Sequence, residues 1–505
     1  MIRNKTSSLF PVLLLAVLSL TSCSGPFCKT GCTTNGGTGT VSLTLVSDTL
    51  PANPSILSFK VSINGIQITP TIGSARTLTP AKPVIDLMRL QSDTDFLGAL
   101  SNVASGTYTV QVSLSNPTIT FFNDTGSNVT AGSTTCANAA VCTATLSATG
   151  NPTIASFTLT VTSTGQQGVG LDFNLKNAIS LSGGTLSVNF NPTTPVLSAF
   201  TLPRSNANLG SNQLELIEDF TGVVTLSGNN ITITSPTRGA LTTAIVSGTT
   251  FFDQSPTPST LCTNAPSNCA AAGQIASVDA FLNSDGTLSL KEFEPLAATQ
   301  QDLVEGIVCP IPTCVSSPTQ FGIVVTEKTQ AATGSLIGGV NTGDLLRVNL
   351  ATGPTFLVDT KGLPVSSTSL FAGAGDTSVI HPGQTVSVHV KTFTAASGTP
   401  PIASVTADTV TLRWSRLIAS VFSASPTVVN VDAVPSYFLI TSSSLFPTQV
   451  FGGNPGGDGV TNLDGIPSGG SAIPSPPPVG LRVLYLDNSS HSAQFPFLAA
   501  KIRQH

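Results

Sequence analysis

Four histidines, His381, His389, His491 and His505, are the only side chains here whose ordinary pKa lies near neutrality. His381 precedes Pro382-Gly383 in a turn, and His389 falls on the polar side of an alternating strand. His491 follows Asn488-Ser489-Ser490, and His505 is the last residue. None stands beside a Gly-x-Ser-x-Gly elbow, so each reads as a surface residue. A hydrolase would need a triad gathered from distant loops. Glu292 and Glu294 share a strand face, but a glycosidase pair works about 5 to 9.5 Å apart across a sugar cleft, and no cleft is legible around them. Asn283, Asp285, Gly286 and Glu292 match loop positions three, five, six and twelve of a calcium loop. Position one is Phe281, and no helices flank the segment. Asp285-Gly286 therefore reads as a hairpin turn. Asp458, Asn462 and Asp464 read as a solvated loop, and Glu215, Glu218 and Asp219 as a solvated inter-domain edge. Trp414 shares the apolar parity of Val410 and Leu412 and reads as core. This inventory assigns no catalytic residue, no metal ligand and no cofactor.

The elements that must carry these residues are strands. The chain has 505 residues, 40% hydrophobic and only 9% charged, against about 25% charged in an average globular protein. Such a composition excludes coiled coils, whose outer faces need Glu and Lys. With Lys+Arg 20 against Asp+Glu 25, no basic field exists for nucleic acid. Period-two alternation dominates. Phe157, Leu159 and Val161 alternate with Thr158, Thr160 and Thr162, and Val386, Val388 and Val390 with Ser387, His389 and Lys391. That is the pattern of antiparallel strands buried on one face. A helical period shows only briefly, around Asp93–Leu100. The expected fold is all-β, as sandwiches or small barrels.

The first residues address the chain. Arg3 and Lys5 precede an apolar run from Leu9 to Leu20, too short to span a bilayer, which reads as an export signal. It ends Leu20-Thr21-Ser22-Cys23 and so resembles the bacterial lipoprotein signal. That resemblance implies cleavage after Ser22, a diacylglycerol on Cys23 and, with Ser24 next, passage to the outer membrane. Residues 1–22 are then signal peptide and 23–40 a flexible tether. The other eight cysteines fall into close pairs, Cys28/Cys32, Cys136/Cys142, Cys262/Cys269 and Cys309/Cys314. In an exported chain these read as local disulfides.

Residues 41–195 resemble the exported-lipoprotein module known as domain of unknown function 4382. The motifs are Val41 to Asp48, Phe59 to Ile68, Val84-Ile85-Asp86-Leu87 leading to Gly106-Thr107-Tyr108-Thr109, and Leu171-Asp172-Phe173-Asn174-Leu175. Internal repetition follows. Phe220-Thr221-Gly222-Val223-Val224 returns as Val304-Glu305-Gly306-Ile307-Val308 and, more loosely, as Leu417-Ile418-Ala419-Ser420-Val421. The first copy resembles the small barrel known as domain of unknown function 5666. The modules span 213–298, 303–415 and 416–505, with Pro-, Gly- and Ser-rich stretches at 193–212 and 452–478 as linker or loop. The first resemblance implies an immunoglobulin-like sandwich with no known active site, so the expected architecture is that sandwich followed by two or three small β-barrel or sandwich modules in tandem. The expected function is a non-enzymatic, lipid-anchored envelope spacer or display scaffold. The alternative is a surface module that binds a glycan or another envelope protein through loops 250–272, 309–318 and 452–478.

Overall fold

The computed structural model describes residues 38–48, 53–80, 84–161, 167–204, 208–246, 251–254, 257–259, 270–310, 317–397, 401–432, 434–439, 445–452, 459–466, 478–486 and 495–505. It is an all-β structure of several modules. In the strand Gly106–Phe122, Tyr108, Val110 and Val112 point inward while Gln111 faces water, as the two-residue period requires.

The first module is a sandwich. One sheet orders the strands Leu197–Leu202, Gln167–Asn174, Thr38–Asp48 and Asp95–Ala104, with the two middle strands parallel. The facing sheet is built on the long pair Ser55–Pro70 and Gly106–Phe122. Their inner faces share one core that includes Val41, Leu43, Phe59, Phe121 and Leu171. Two sequence expectations are revised. The helical period around Asp93–Leu100 is instead the strand Asp95–Ala104, preceded by a 3-10 turn at Arg89–Gln91. The sandwich's edge strand Leu197–Leu202 lies inside the stretch taken as linker or loop. In both places tertiary pairing overrides a weak local signal.

Three five-stranded barrels follow. The first contains Gln213–Ser227, Asn230–Ser235, Gly239–Ile245, Ile275–Asn283 and Leu288–Ala297. The second contains Asp302–Val308, Gln320–Thr329, Leu345–Val358, Thr385–Ser397 and Ile402–Arg413. The third contains Ser415–Ala424, Val428–Val431, Phe446–Val450, Pro478–Tyr485 and Phe497–Gln504. Numbered within each copy, the strands run 1-2-3-5-4 around the ring, and strands 3 and 5 close it in parallel. This is the connectivity of a small OB-type barrel. Gly222 and Gly306 occupy the first strands of the first two copies, where the second strand's backbone crosses closely. A Cβ there would lie 2.3 Å from the Thr234 carbonyl oxygen and 2.5 Å from that of Val324, so only glycine fits.

Candidate functional site

The most unusual feature is where the charges are. Fourteen carboxylates and six basic side chains are buried among the described residues, in a chain with so few charges to spend. Most converge on one ionic hub where the sandwich and all three barrels meet. The first barrel supplies an acidic wall of Glu215, Glu218, Asp219, Asp279, Glu292 and Glu294. The third supplies mostly cations: Arg416, Arg482, Lys501 and Arg503. The second adds Glu305, Glu327, Asp359, Lys361 and Arg413, and the sandwich adds Arg89, Asp93 and Asp95.

Asp219 is the centre. Its strand pairs with Ile275–Asn283, and the register shifts between Ile217 and Phe220. Asp219 takes up the slack at φ 48°, the left-handed region that Asp tolerates better than most residues. The resulting bulge turns both its backbone and its side chain into the hub. The Asp219 carbonyl accepts from Arg89 Nη2 and Arg238 Nη1, each at 2.8 Å, and its N–H donates to Asp279 Oδ1 at 2.9 Å. Its carboxylate receives Lys361 Nζ at 2.9 Å, Arg416 Nη2 at 3.0 Å and the Nη2 of Arg482. Around it, Arg416 Nε meets Asp93 Oδ2 at 2.7 Å, and Arg89 pairs with Glu327. Arg413 Nη1 meets Glu294 Oε1 at 2.9 Å and Asp359 Oδ2 at 2.8 Å. Lys501 Nζ meets Glu218 Oε2 at 2.5 Å, and Arg503 Nε meets Asp464 Oδ2 at 2.6 Å.

The proton affinities follow from this arrangement. Burial pushes the Asp219 carboxyl up, but Arg482, Lys361, Arg416 and Arg413 outweigh it and hold it well below the usual range. Asp93 is likewise buried yet held down to about 2 by Arg416, Arg482 and Arg89. Carboxylates outnumber cations, so some remain protonated near neutrality. Burial, with Asp359 adding repulsion, pushes Glu294 up to about 8 against the pull of Arg413. Burial and then Asp464 push Glu215 up to about 7.

Several sequence expectations are corrected by this geometry. Glu215, Glu218 and Asp219 are not a solvated edge; each is at most 3% exposed. Asn462 and Asp464 are buried in the strand Asn462–Asp464, Asp464 beside Arg503, rather than solvated, while Asp458 lies outside the described residues. His389 is half-buried with Nε2 2.6 Å from the Leu296 carbonyl oxygen, and His505 is half-buried with Nε2 3.2 Å from that of Gln91. Neither is a plain surface residue. His381 is half-buried with its ring near Tyr485, and His491 lies outside the described residues. Asp285-Gly286 forms the hairpin turn, and the Asp285 carboxylate accepts from the Thr287 N–H at 2.9 Å and its Oγ1 at 2.6 Å. Trp414 is fully buried in the core of the second barrel.

Cys136 and Cys142 form a disulfide, and Cys309 is disulfide-bonded. Cys23, Cys28, Cys32, Cys262, Cys269 and Cys314 lie outside the described residues. So do most of loops 250–272 and 452–478, and residues 311–316 of the third loop. Among the described residues, one group, Asp48, Asp172 and His505, brings three metal-ligating atoms within 4.8 Å of one another. A cleft of about 130 Å³ opens between the sandwich and the first barrel, lined by Ile63, Phe96 and Leu97 above the Asp95–Arg238 pair.

The fold and hub define a class: a multi-barrel β protein whose modules are fastened by buried ion pairs. Comparison with known protein families, curated proteins and solved structures returns no match. Function is therefore argued from the sites themselves.

Proposed function

We propose that this chain is a non-enzymatic scaffold of the bacterial cell envelope, anchored through lipid on Cys23 and carrying its β modules as one block. The observation that carries the reading is the hub. Beads on a flexible string need their charges on their surfaces, whereas here the charges of four modules are spent on one another. A block locked in this way holds every outer face at a fixed place relative to the others. The tether expected at 23–40 gives way at Thr38 to the first strand of the sandwich, and through the residues before it the block would be held at the outer membrane. The proposed relationships to domains of unknown function 4382 and 5666 belong to the same reading.

Metabolic labelling with palmitate tests the anchor. Wild-type protein should take up label and sediment with outer membranes, and Cys23→Ala should do neither. Label retained by Cys23→Ala would sink the proposal. A second reading, a surface that binds a glycan or an envelope protein, is favoured by the seam cleft, which sets Phe96 beside polar Asp95 and Arg238. Saturable capture of one envelope component by wild type, lost in Phe96→Asp, would put this reading ahead.

A further inference from the structure

Among the buried polar atoms without a hydrogen-bond partner is His505 Nδ1, at the margin of the hub. His505 follows the last strand of the third barrel, and its imidazole reaches back to the sandwich. Its Nε2 lies 3.2 Å from the Gln91 carbonyl oxygen. A carbonyl only accepts, so Nε2 carries the hydrogen and Nδ1 is the ring atom left with a lone pair. Room for this contact is made by Gly480. A Cβ there would come 2.1 Å from the Gln91 oxygen and 2.6 Å from His505 Nε2.

Two carboxylates stand beside the ring. Asp172 pairs in parallel register with Val46, and Asp48 stands two residues further along that strand, so both project from one face of the sheet. One oxygen from each, with a ring nitrogen of His505, fall within 4.8 Å of one another. His505 Nδ1 and Asp172 Oδ1 are both cut off from solvent, and neither has a hydrogen-bond partner among the described residues. Leaving buried acceptors unsatisfied is costly. Two carboxylates gathered this closely beside a neutral imidazole repel each other, and a cation or a shared proton removes that repulsion.

We infer that Asp48, Asp172 and His505 form a binding site for one divalent first-row transition ion, at the junction of the sandwich and the third barrel. One imidazole and two carboxylates are a mixed nitrogen and oxygen set. That set suits zinc, cobalt, manganese or iron better than calcium or magnesium, which prefer oxygen alone. Ligand atoms 4.8 Å apart at most leave an ion about 2.8 Å from each, so side-chain closure of about 0.7 Å reaches the 2.0–2.2 Å of zinc ligation. The outer contacts are those of a ligating histidine and carboxylate. Gln91 orients the ring through Nε2. Arg204 Nη2 lies 3.6 Å from Asp172 Oδ2 and leaves Oδ1 to the ion. Asn174 Nδ2 lies 3.4 Å from Asp48 Oδ2. The nearby Asp464 and Arg503 are paired with each other.

The test uses the full chain with its cysteines oxidised, stripped by a chelator and then titrated with Zn²⁺ by calorimetry and with Co²⁺ by visible absorption. One ion per chain should bind saturably. The Co²⁺ bands should differ from those of the aquo ion, and Zn²⁺ should raise the melting midpoint until chelator is added. His505→Ala and Asp172→Asn should each weaken binding at least tenfold. Should either variant fail to fold, the wild-type Co²⁺ spectrum and chelator-reversible midpoint still decide. No saturable uptake, or uptake equal in wild type and both variants, would overturn the assignment.

Discussion

Arg482 is the side chain whose removal tests the hub most directly. It is fully buried in Pro478–Tyr485, and it ties the third barrel to the first through Glu218 Oε1 at 3.0 Å and Asp219 Oδ2. Arg482→Met keeps much of the apolar stem and deletes the charge. Glu218 then retains Lys501, and Asp219 retains Lys361 and Arg416, so neither acid is left alone. Breaking a buried pair by removing one partner costs about 3–5 kcal/mol, and the retained cations place this case near the lower end, about 3 kcal/mol. Urea unfolding followed both by Trp414 fluorescence and by far-ultraviolet circular dichroism measures it. Trp414 is the only tryptophan and is buried where the second barrel passes into the third. In wild type the two signals should change together. In Arg482→Met the midpoint should fall and the signals should separate, because the barrels no longer unfold as one. Adding Glu218→Met should recover little, since it also deprives Lys501 of its closest carboxylate. A variant within about 0.5 kcal/mol of wild type, with coincident signals, would refute the claim that buried ion pairs fasten the modules.

The strands were legible and the hub was not, for a physical reason. Alternation such as Val386, Val388 and Val390 is written in neighbouring residues, so burial on one face follows from local spacing. The repeat of Phe220–Val224 in Val304–Val308 likewise falls on equivalent first strands, although the reason for the shared glycine appears only where the Thr234 and Val324 carbonyls press against it. Ion pairing carries no such local mark. Arg482 meets Glu218 across 264 residues of chain, and nothing beside either residue encodes the other. A signal was nonetheless present. In a chain with 9% charge, Arg482, Lys501 and Arg503 sit inside apolar strands while the turns are filled by Ser, Thr, Asn and Gly. A charge placed where packing would prefer valine implies a distant partner of opposite sign. Applied to Glu215, Glu218 and Asp219, the same reasoning leads to a buried interface rather than a solvated edge. His505 escaped for a different reason: the Gln91 carbonyl and the Asp48 and Asp172 carboxylates beside it all come from the sandwich, far from it in sequence.

Two further outcomes are expected. Replacing both Cys136 and Cys142 with Ser opens a loop of sequence separation 6 and should cost about 2 kcal/mol on the chain-entropy estimate. Guanidinium unfolding of the two forms under oxidising conditions reads this difference. The pH dependence of stability should have two limbs of opposite cause. Asp219 and Asp93 titrate lower in the folded chain than in the unfolded one. Their contribution is complete above about pH 4 and is lost as the pH falls toward 2. Glu294 and Glu215 titrate higher when folded, up to about 8 and about 7. Between pH 4.5 and 8 the folded chain therefore holds protons that the unfolded chain has released, and stability falls as pH rises. His505, pushed down to about 3 by burial and by Arg503 and Arg204, works in the other direction, but only up to its unfolded value near 6.5. His389, lowered by burial, acts in the same direction as His505 and over the same range, so the carboxyl effect dominates above pH 6.5. One proton corresponds to about 1.4 kcal/mol per pH unit, so Glu294 alone should remove about 2 kcal/mol between pH 6.5 and 8. Glu294→Gln abolishes that titration while keeping the side chain's shape. Urea midpoints measured across this range should decline in wild type and decline about half as much or less in the variant, where only Glu215 still titrates. Equal slopes would mean that Glu294 is already ionised at pH 6.5, with Arg413 outweighing the cost of burying its charge.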